Sequence, residues 1–381
     1  MESYFSEEHE MLRDMVREFA RNEVEPIAGE IDEEMRFPEE LVGMMGELGL
    51  MGIPYPGKHG GAGMDTIAYT LAVEELTKAC SSTAITMAAH TSLGTFPIYR
   101  FGDDDQKKRY LPKMTAGEFL GAFGLTEPQA GSDAAGTKTR AVPDGNEWVI
   151  NGGKMFMTNG GYADIMVITA VTDPDEKLSR RISSFIVEKD TPGLQIGKKE
   201  VKMGWRASDT RQVSFEDMRV PKENLLGERG RGYAQFLETL DGGRISIAAM
   251  GLGLSIAAFE AAKKYVNERE AFGRKIKEFQ GVSFPLADMR TRIEAGRHMT
   301  YNAARLKDDG KDFKTEAGMA KLFTSELATW ATGQALQTHG GYGYIKEFPV
   351  ERYFRDAKIL EIGEGTSEIQ RLIIAREVLK E

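Results

Sequence analysis

Of the 381 residues only Cys80 is a cysteine, so no disulfide can close within the chain, and a reducing compartment, the cytoplasm, is the expected setting. His9, His59, His90, His298 and His339 are scattered, and no closely spaced Cys/His cluster accompanies them, so no metal is expected. G-x-x-x-x-G-K-[ST], H-E-x-x-H and G-x-S-x-G are also missing, which disfavours P-loop nucleotide hydrolysis, zincin chemistry and a serine-hydrolase elbow. The opening MESYFSEEHEMLRD lacks the basic start and apolar core of a leader and reads as native structure. The longest weakly polar run, Ile245 to Phe259, falls short of the ~20 residues that cross a bilayer, and Arg244 and Glu260 bound it, so it reads as a buried helix. Positive charge is in deficit, with 49 Lys and Arg against 59 Asp and Glu, a net −10. Neither nucleic acid nor an anionic membrane is therefore attracted globally, and an anionic ligand needs a local basic site.

What is present is ample core material, 41% hydrophobic and 28% charged, in a chain longer than the ~100–150 residues of one domain. The 42 glycines, about 11% against a usual ~7%, have no fixed period and point to tight turns and close backbone approaches. Helical periodicity runs from Ser6 to about residue 120, starting with Leu12, Met15, Val16 and Phe19. Short apolar runs separated by PDGN, NGG, DPDE and DTPG follow to residue 228, the pattern of an antiparallel sandwich or barrel. Helical periodicity then returns. The expectation is a multidomain α and β chain: a helical domain over 1–120, a β domain over 121–228 and a second helical domain over 229–381. Gly251-Leu252-Gly253, the nearest approach to a dinucleotide glycine pattern, follows no strand and reads as close helix packing.

Five segments could carry chemistry. In IGEGTSEIQRLIIAR a helix is expected to begin near Thr366, with a capping box from Ser367 to Gln370 or a cap at Thr366 itself. Glu364, between Gly363 and Gly365, then sits on a loop before that helix, where an apolar ligand would raise its pKa and make it a stronger base; a solvated turn fits the same spacing. FGLTEPQAGS, from Phe123, offers Thr126 and Ser132 to a polar ligand, or is an ordinary turn around Pro128. In KMFMTNGG, Phe156 and Thr158 share a strand face suited to a flat heterocycle, or Phe156 packs in the core. NEREAFGRKI groups Arg269, Phe272, Arg274 and Lys275, a grip for a diphosphate or a solvated helix end. QTHGGYGY, from Gln337, brings bare backbone near a cofactor or simply caps a helix.

In order, LTEPQAGSD (125–133), KMFMTNG (154–160), GWRASDTRQVSFEDMRVPKENLLG (204–227), DGGR (241–244), REAFGRKIKEFQ (269–280), LQTHGGYGY (336–344) and EGTSEIQRLIIAR (364–376) resemble the acyl-CoA dehydrogenase family, from Ser6 to Leu379. The resemblance implies a helical domain, a middle β-barrel-like domain and a C-terminal four-helix bundle. It also implies FAD, an acyl-CoA substrate, electron-transferring flavoprotein as acceptor and a homotetramer. By that likeness Glu364 is the catalytic base that removes the α-proton, and the β-hydride goes to the flavin. Cofactor roles fall on Phe123, Leu125, Thr126, Ser132, Phe156, Thr158, Thr366 and Glu368. Arg269, Phe272, Gln280, Gln337, Gly340 and Gly341 would hold the adenosine diphosphate half across a subunit interface. Substrate roles fall on Ser132, Asp241, Arg244 and Gly365, with Thr91 adding a hydroxyl to an acyl pocket lined by Ile85 and Ala89.

Two departures bear on the substrate. Some relatives carry the base at the position of Gly243, which cannot serve here, so the base is expected at Glu364. Where many straight-chain enzymes have Tyr before the base this chain has Gly363, leaving volume for a branched or alicyclic acyl group. No second acid lies between Ile85 and Leu93, so simple α,β-desaturation is expected. A non-catalytic acyl-CoA-binding protein of the same fold and a flavin oxidase are the alternatives.

Overall fold

The computed structural model describes residues 5–380 and follows the order α, β, α. Helix Glu7–Phe19 opens behind a capping box between Ser6 and His9, and it buries Val16 and Phe19 on the face that the periodicity marks. Residues 1–4 of the opening segment lie outside the described residues. Helix Thr66–Ala79 is buried along almost its whole length. Its N-terminus is closed by Asp65, which accepts from the Ala68 N–H, and by Asp308, which accepts from the Thr66 and Ile67 N–H groups. Helix Ser81–Ala88 widens into a π-helical turn, Ala89–Thr95, before helix Phe96–Phe101. Turns of this kind often mark functional sites. Helix Asp104–Thr115 starts at a capping box between Asp103 and Gln106.

Eight strands form the middle sheet: β1 (Gly121–Gly124), β2 (Arg140–Asp144), β3 (Glu147–Thr158), β4 (Ile165–Val171), β5 (Ile182–Glu188), β6 (Leu194–Lys199), β7 (Thr210–Pro221) and β8 (Leu225–Leu226). Their order is β6-β7-β3-β2-β4-β5-β8, with β1 also on β4. Most pairs are antiparallel, as the turn spacing suggests, but β1 runs parallel to β4, and β2 meets β4 in parallel at Arg140 and Val171. Parallel neighbours need a long connection, and the β2–β3 hairpin lies within the one between β1 and β4. The β4 strand is buried on both faces. Met166, Ile168 and Ala170 join the interior of the sheet with Trp148 and Phe215, while Ile165 and Val167 pack with Ile98, Tyr110 and Met114 of the helices. That second face is how the sheet and the first helical block become one body. Gln106 adds to the joint by donating to the Glu223 and Leu225 carbonyls.

The last block is built on helices Gly232–Glu268, Gln280–Asp308, Lys314–His339 and Ser367–Val378. The apolar stretch read as a buried helix is the middle of the 37-residue Gly232–Glu268. This helix is long and apolar enough to cross a membrane, and 83% of its most apolar window is buried inside the protein. Gly251 and Gly253 do allow close packing: a Cβ on Gly251 would lie 2.7 Å from the Thr324 carbonyl, and one on Gly253 2.6 Å from that of Glu74.

His90 ties the π turn to β1. Its Nδ1 accepts from the Gly121 N–H at 2.9 Å, so Nε2 carries the proton and donates to the Met114 carbonyl at 3.0 Å. Burial lowers its pKa to about 4, against the hydrogen bonds to Met114 and Met51 that raise it. A depressed histidine pKa means that the unfolded chain takes up the proton first. The contribution is complete above the unfolded value of 6.5, is lost as pH falls to about 4 and is then constant. It is on the order of 3 kcal/mol. In His90→Asn, the fall in thermal unfolding midpoint across that window should be smaller than in the parent, and identical pH dependence in both proteins would exclude this role.

Candidate active site

Glu364 lies between the 3₁₀ turn Lys358–Glu361 and helix Ser367–Val378. Thr366, the alternative of the two expected caps, is the cap, accepting from the Ile369 N–H, and the Ser367 to Gln370 box does not form. Gln370 is instead fully buried and folds back, its Nε2 donating to the Glu364 carbonyl at 3.3 Å and the Gly365 carbonyl at 3.1 Å. Lys321, from helix Lys314–His339, donates to the same Gly365 carbonyl at 2.7 Å. These two donors hold consecutive left-handed residues, Glu364 at φ 50° and Gly365 at φ 92°. A left-handed conformation at a non-glycine residue costs on the order of 1–3 kcal/mol and persists only where the surroundings impose it.

The Glu364 side chain enters the protein. Its Oε2 is shielded from solvent and has no hydrogen-bond partner. Gly243 lies against it so closely that a Cβ there would collide with Oε2, and Leu93 Cδ2 is the next neighbour. Burial raises the Glu364 pKa to about 7, with Lys321 and Arg244 pulling the other way. Arg244 is buried and donates to Asp241 at 2.6 Å, while its Nε has no partner. Lys314 is 3.6 Å from the other Asp241 oxygen. Burial still lifts the Asp241 pKa above its ordinary value, despite Arg244 and Lys314.

Nearby hydroxyls belong to residues that the sequence reading missed. The Tyr69 hydroxyl and the Ser92 hydroxyl both donate to the Ala88 carbonyl, and Ser246 donates to that of Gly243. Burial pushes the Tyr69 pKa up, hydrogen bonds with Ser246 and Ser92 pull it down, and the Glu364 charge raises it further. Thr91, expected at the acyl pocket, is buried and turns its hydroxyl toward the Met51 carbonyl at 3.5 Å. Ser92, one residue on, carries a hydroxyl that the Ser246 hydroxyl approaches at 3.5 Å. Lys321 could have been noticed as a lysine on the same helical face as Ala317 and Thr324, both buried.

The β domain presents the second group. Lys154 on β3 is wholly buried and pairs with Glu127 at 2.7 Å, and it also donates to Thr169 and to the Leu125 carbonyl. Burial lowers the lysine to about 8 although Glu127 opposes this. Burial pushes Glu127 up, but Lys154 and the Lys138 and Thr139 donors outweigh it and leave its pKa low. This pair and the bond from the Met155 N–H to the Thr126 carbonyl fix the loop that holds Leu125 and Thr126, both half-buried, and Ser132, exposed. Phe123 stacks at 6.0 Å on Phe236. Phe156 is not a core residue: it stands 63% exposed at φ 57°, with Thr158 half-buried two positions on.

The third group lies where helices Gly232–Glu268 and Lys314–His339 end. Arg269, Gly340 and Gly341 line a cavity of about 510 Å³ with Tyr342, over whose ring the Arg269 guanidinium lies at 5.5 Å. Phe272, between β9 (Glu270–Ala271) and β10 (Arg274–Lys275), is 94% exposed. Gln280 and Gln337 are exposed nearby in sequence but do not line that cavity. Neither this cavity nor the neighbouring one of about 580 Å³ is lined by Glu364. Among the described residues no group of three or more His, Cys, Asp or Glu could hold a metal ion.

Three family models match the chain: the N-terminal domain of acyl-CoA dehydrogenase over residues 6–118, the middle domain over 122–218 and the C-terminal domain over 230–379. A relative from Clostridium acetobutylicum, "Acyl-CoA dehydrogenase, short-chain specific", is 50% identical over 380 residues, covering 100% of both chains. The butyryl-CoA dehydrogenase of Megasphaera elsdenii superposes with a TM-score of 0.97 at 42% identity, over 100% of both. A chain of the structure reported as "Electron transferring flavoprotein of Acidaminococcus fermentans: Towards a mechanism of flavin-based electron bifurcation" gives 0.98 at 46% identity, again over 100% of both.

A carboxyl group with a pKa near 7 leaves a spectroscopic trace. Infrared difference spectra of the parent and Glu364→Gln, followed with pH, should show a protonated-carboxyl band that half-disappears close to pH 7. Disappearance of that band by about pH 5, near an ordinary glutamate, would contradict the desolvated geometry.

Proposed function

Because the chain belongs to the acyl-CoA dehydrogenase family and is a FAD-dependent oxidoreductase of the short-chain type, we propose that it converts a short or branched acyl-CoA to the 2-enoyl-CoA with Glu364 as base. The observation that carries this reading is Oε2 of the Glu364 carboxylate, shielded and unpartnered against Gly243. Removing an α-proton beside a thioester needs a base that is strong yet ionised at working pH, and a desolvated carboxylate with a pKa near 7 satisfies both demands. The Glu364 N–H donates to no group among the described residues, so it is free to receive the thioester oxygen as negative charge develops there. Arg244 and Asp241 form a buried pair on helix Gly232–Glu268, and the family likeness extends the substrate-binding role to them, Ser132 and Gly365.

FAD, when bound, supplies the acceptor for the hydride that leaves Cβ. The residues present fit it. The exposed Phe156 beside Thr158 suits the flat ring, and Phe123, Leu125, Thr126 and Ser132 offer backbone and hydroxyl groups near it, with Thr366 and Glu368 beyond the base. Arg269 with the bare backbone of Gly340 and Gly341 suits a diphosphate. Phe272, Gln280 and Gln337 are exposed and close in sequence to residues of that cavity, as contributors to a second copy's cofactor would be. Exposed Phe284, Tyr344 and Leu372 likewise support a homotetramer. A Cβ on Gly363 would meet only Ile359, at 3.4 Å, so a branched or alicyclic acyl group remains within reach of the site. Electron-transferring flavoprotein is the proposed acceptor and the cytoplasm the proposed location, the latter because the sole thiol, Cys80, is buried and unpaired.

The purified holoenzyme should be yellow and should bleach anaerobically with one or more of butyryl-, isobutyryl-, 2-methylbutyryl-, isovaleryl- and cyclohexanecarboxyl-CoA. Glu364→Gln should keep FAD and lose bleaching by at least about 10³-fold; rapid reduction in that variant would refute the base. Gly243→Ala, which forces the carboxylate away, should bind FAD normally and reduce it at least about tenfold more slowly. An unchanged rate would show that the contact does not orient the base.

A further inference from the structure

Lys321 is 0% exposed, and among the described residues it forms no ion pair. A buried ammonium without a counter-ion is expensive, and a neutral donor could serve the Gly365 carbonyl, which Gln370 already reaches. The hydrogen bond therefore does not explain why the residue is a lysine. The charges around Glu364 do. Arg244, from helix Gly232–Glu268, is neutralised by Asp241, which Lys314 also approaches. Tyr69, from helix Thr66–Ala79, is neutral. Among the described residues Lys321, on the third packed helix, is thus the one buried cation acting on Glu364 whose charge no close carboxylate cancels, with Glu361 and Glu368 acting on it only from farther away.

We propose that Lys321 is a positioning residue for the dehydrogenation: it fixes the left-handed loop through Gly365 and keeps the Glu364 carboxylate ionised at neutral pH. The inference rests on Glu364 being the base. Burial lowers the Lys321 pKa to about 8, so the ammonium is still the main form where the base must act. The proton from the substrate goes to Glu364 and none is transferred to the lysine. Its contribution is an electric field and a fixed peptide plane.

Lys321→Gln removes the charge and keeps a donor, Lys321→Met removes both, and Lys321→Arg keeps both. Each holoenzyme is reduced anaerobically with butyryl-CoA in a stopped-flow instrument across the neutral pH range, with FAD content and oligomeric state checked. In Lys321→Gln the acid limb of the reduction rate should move up by about one pH unit, making reduction slower by up to about tenfold below the limb and close to the parent above it. Lys321→Met should show the same displacement and a lower plateau, and Lys321→Arg should restore the limb. Acid limbs at the parent position in both neutral variants would overturn the proposal. So would loss of folding in both, which would make Lys321 a structural residue only. Rapid reduction by Glu364→Gln would sink the base assignment itself, whereas an inactive Glu364→Gln with an unshifted Lys321→Gln sinks this inference alone.

Discussion

The structure turns on the desolvation of one carboxylate. Taking the Glu364 carboxylate out of water makes it basic, but it also works against the ionised form that the proposed proton abstraction requires. The surrounding elements resolve that conflict from three directions. Helix Gly232–Glu268 contributes a position without a side chain, so that the carboxylate fits. Helix Lys314–His339 contributes a cation. Helix Ser367–Val378 contributes the amide of Gln370, which helps to impose a backbone conformation that glutamate does not adopt by preference. Close packing of these helices at small residues such as Gly251 is what brings the three contributions within reach of one another.

Two buried lysines serve the two halves of the site in different ways. Lys154 is matched by Glu127, and the pair acts as an internal peg that fixes the 125–133 loop from below. Breaking such a pair on one side leaves an uncompensated charge, which typically costs about 3–5 kcal/mol. Lys321 has a carbonyl where Lys154 has a carboxylate, so its charge remains available to the neighbouring Glu364. The β domain thus spends its buried charge on shape, and the helical bundle uses its own on electrostatics.

The α, β, α order was legible because periods of 3.6 and 2 alternate cleanly along the chain. The parallel placement of β1 was not, because four residues of apolar and glycine character carry no direction. Glu364 was legible as a glycine-flanked carboxylate before a helix, though only its burial separates a base from a solvated turn. Lys321, Gln370, Tyr69 and Ser246 were not legible as parts of the site. Lys321 and Tyr69 come to Glu364 or its loop only through the packing of helices far apart in sequence, Ser246 reaches the Gly243 carbonyl of its own helix, and Gln370 folds back on the loop from six residues away. Thr91 lies in a π-helical turn, where side-chain directions no longer follow the 3.6 period, and its hydroxyl turns toward the Met51 carbonyl.

The contact between Gly243 and Glu364 also constrains how such a site can change over time. The two positions compete for one volume, and a side chain at one requires a small residue at the other. A lineage that moved the acid from the loop to the helix by adding a second carboxylate first would displace the end of the Glu364 side chain, and one that first deleted Glu364 would lose the proposed base. Relocation is therefore a paired exchange with an impaired protein on either single-step route, so variants of this chain that retain Gly243 are held to the loop position by sterics as much as by chemistry.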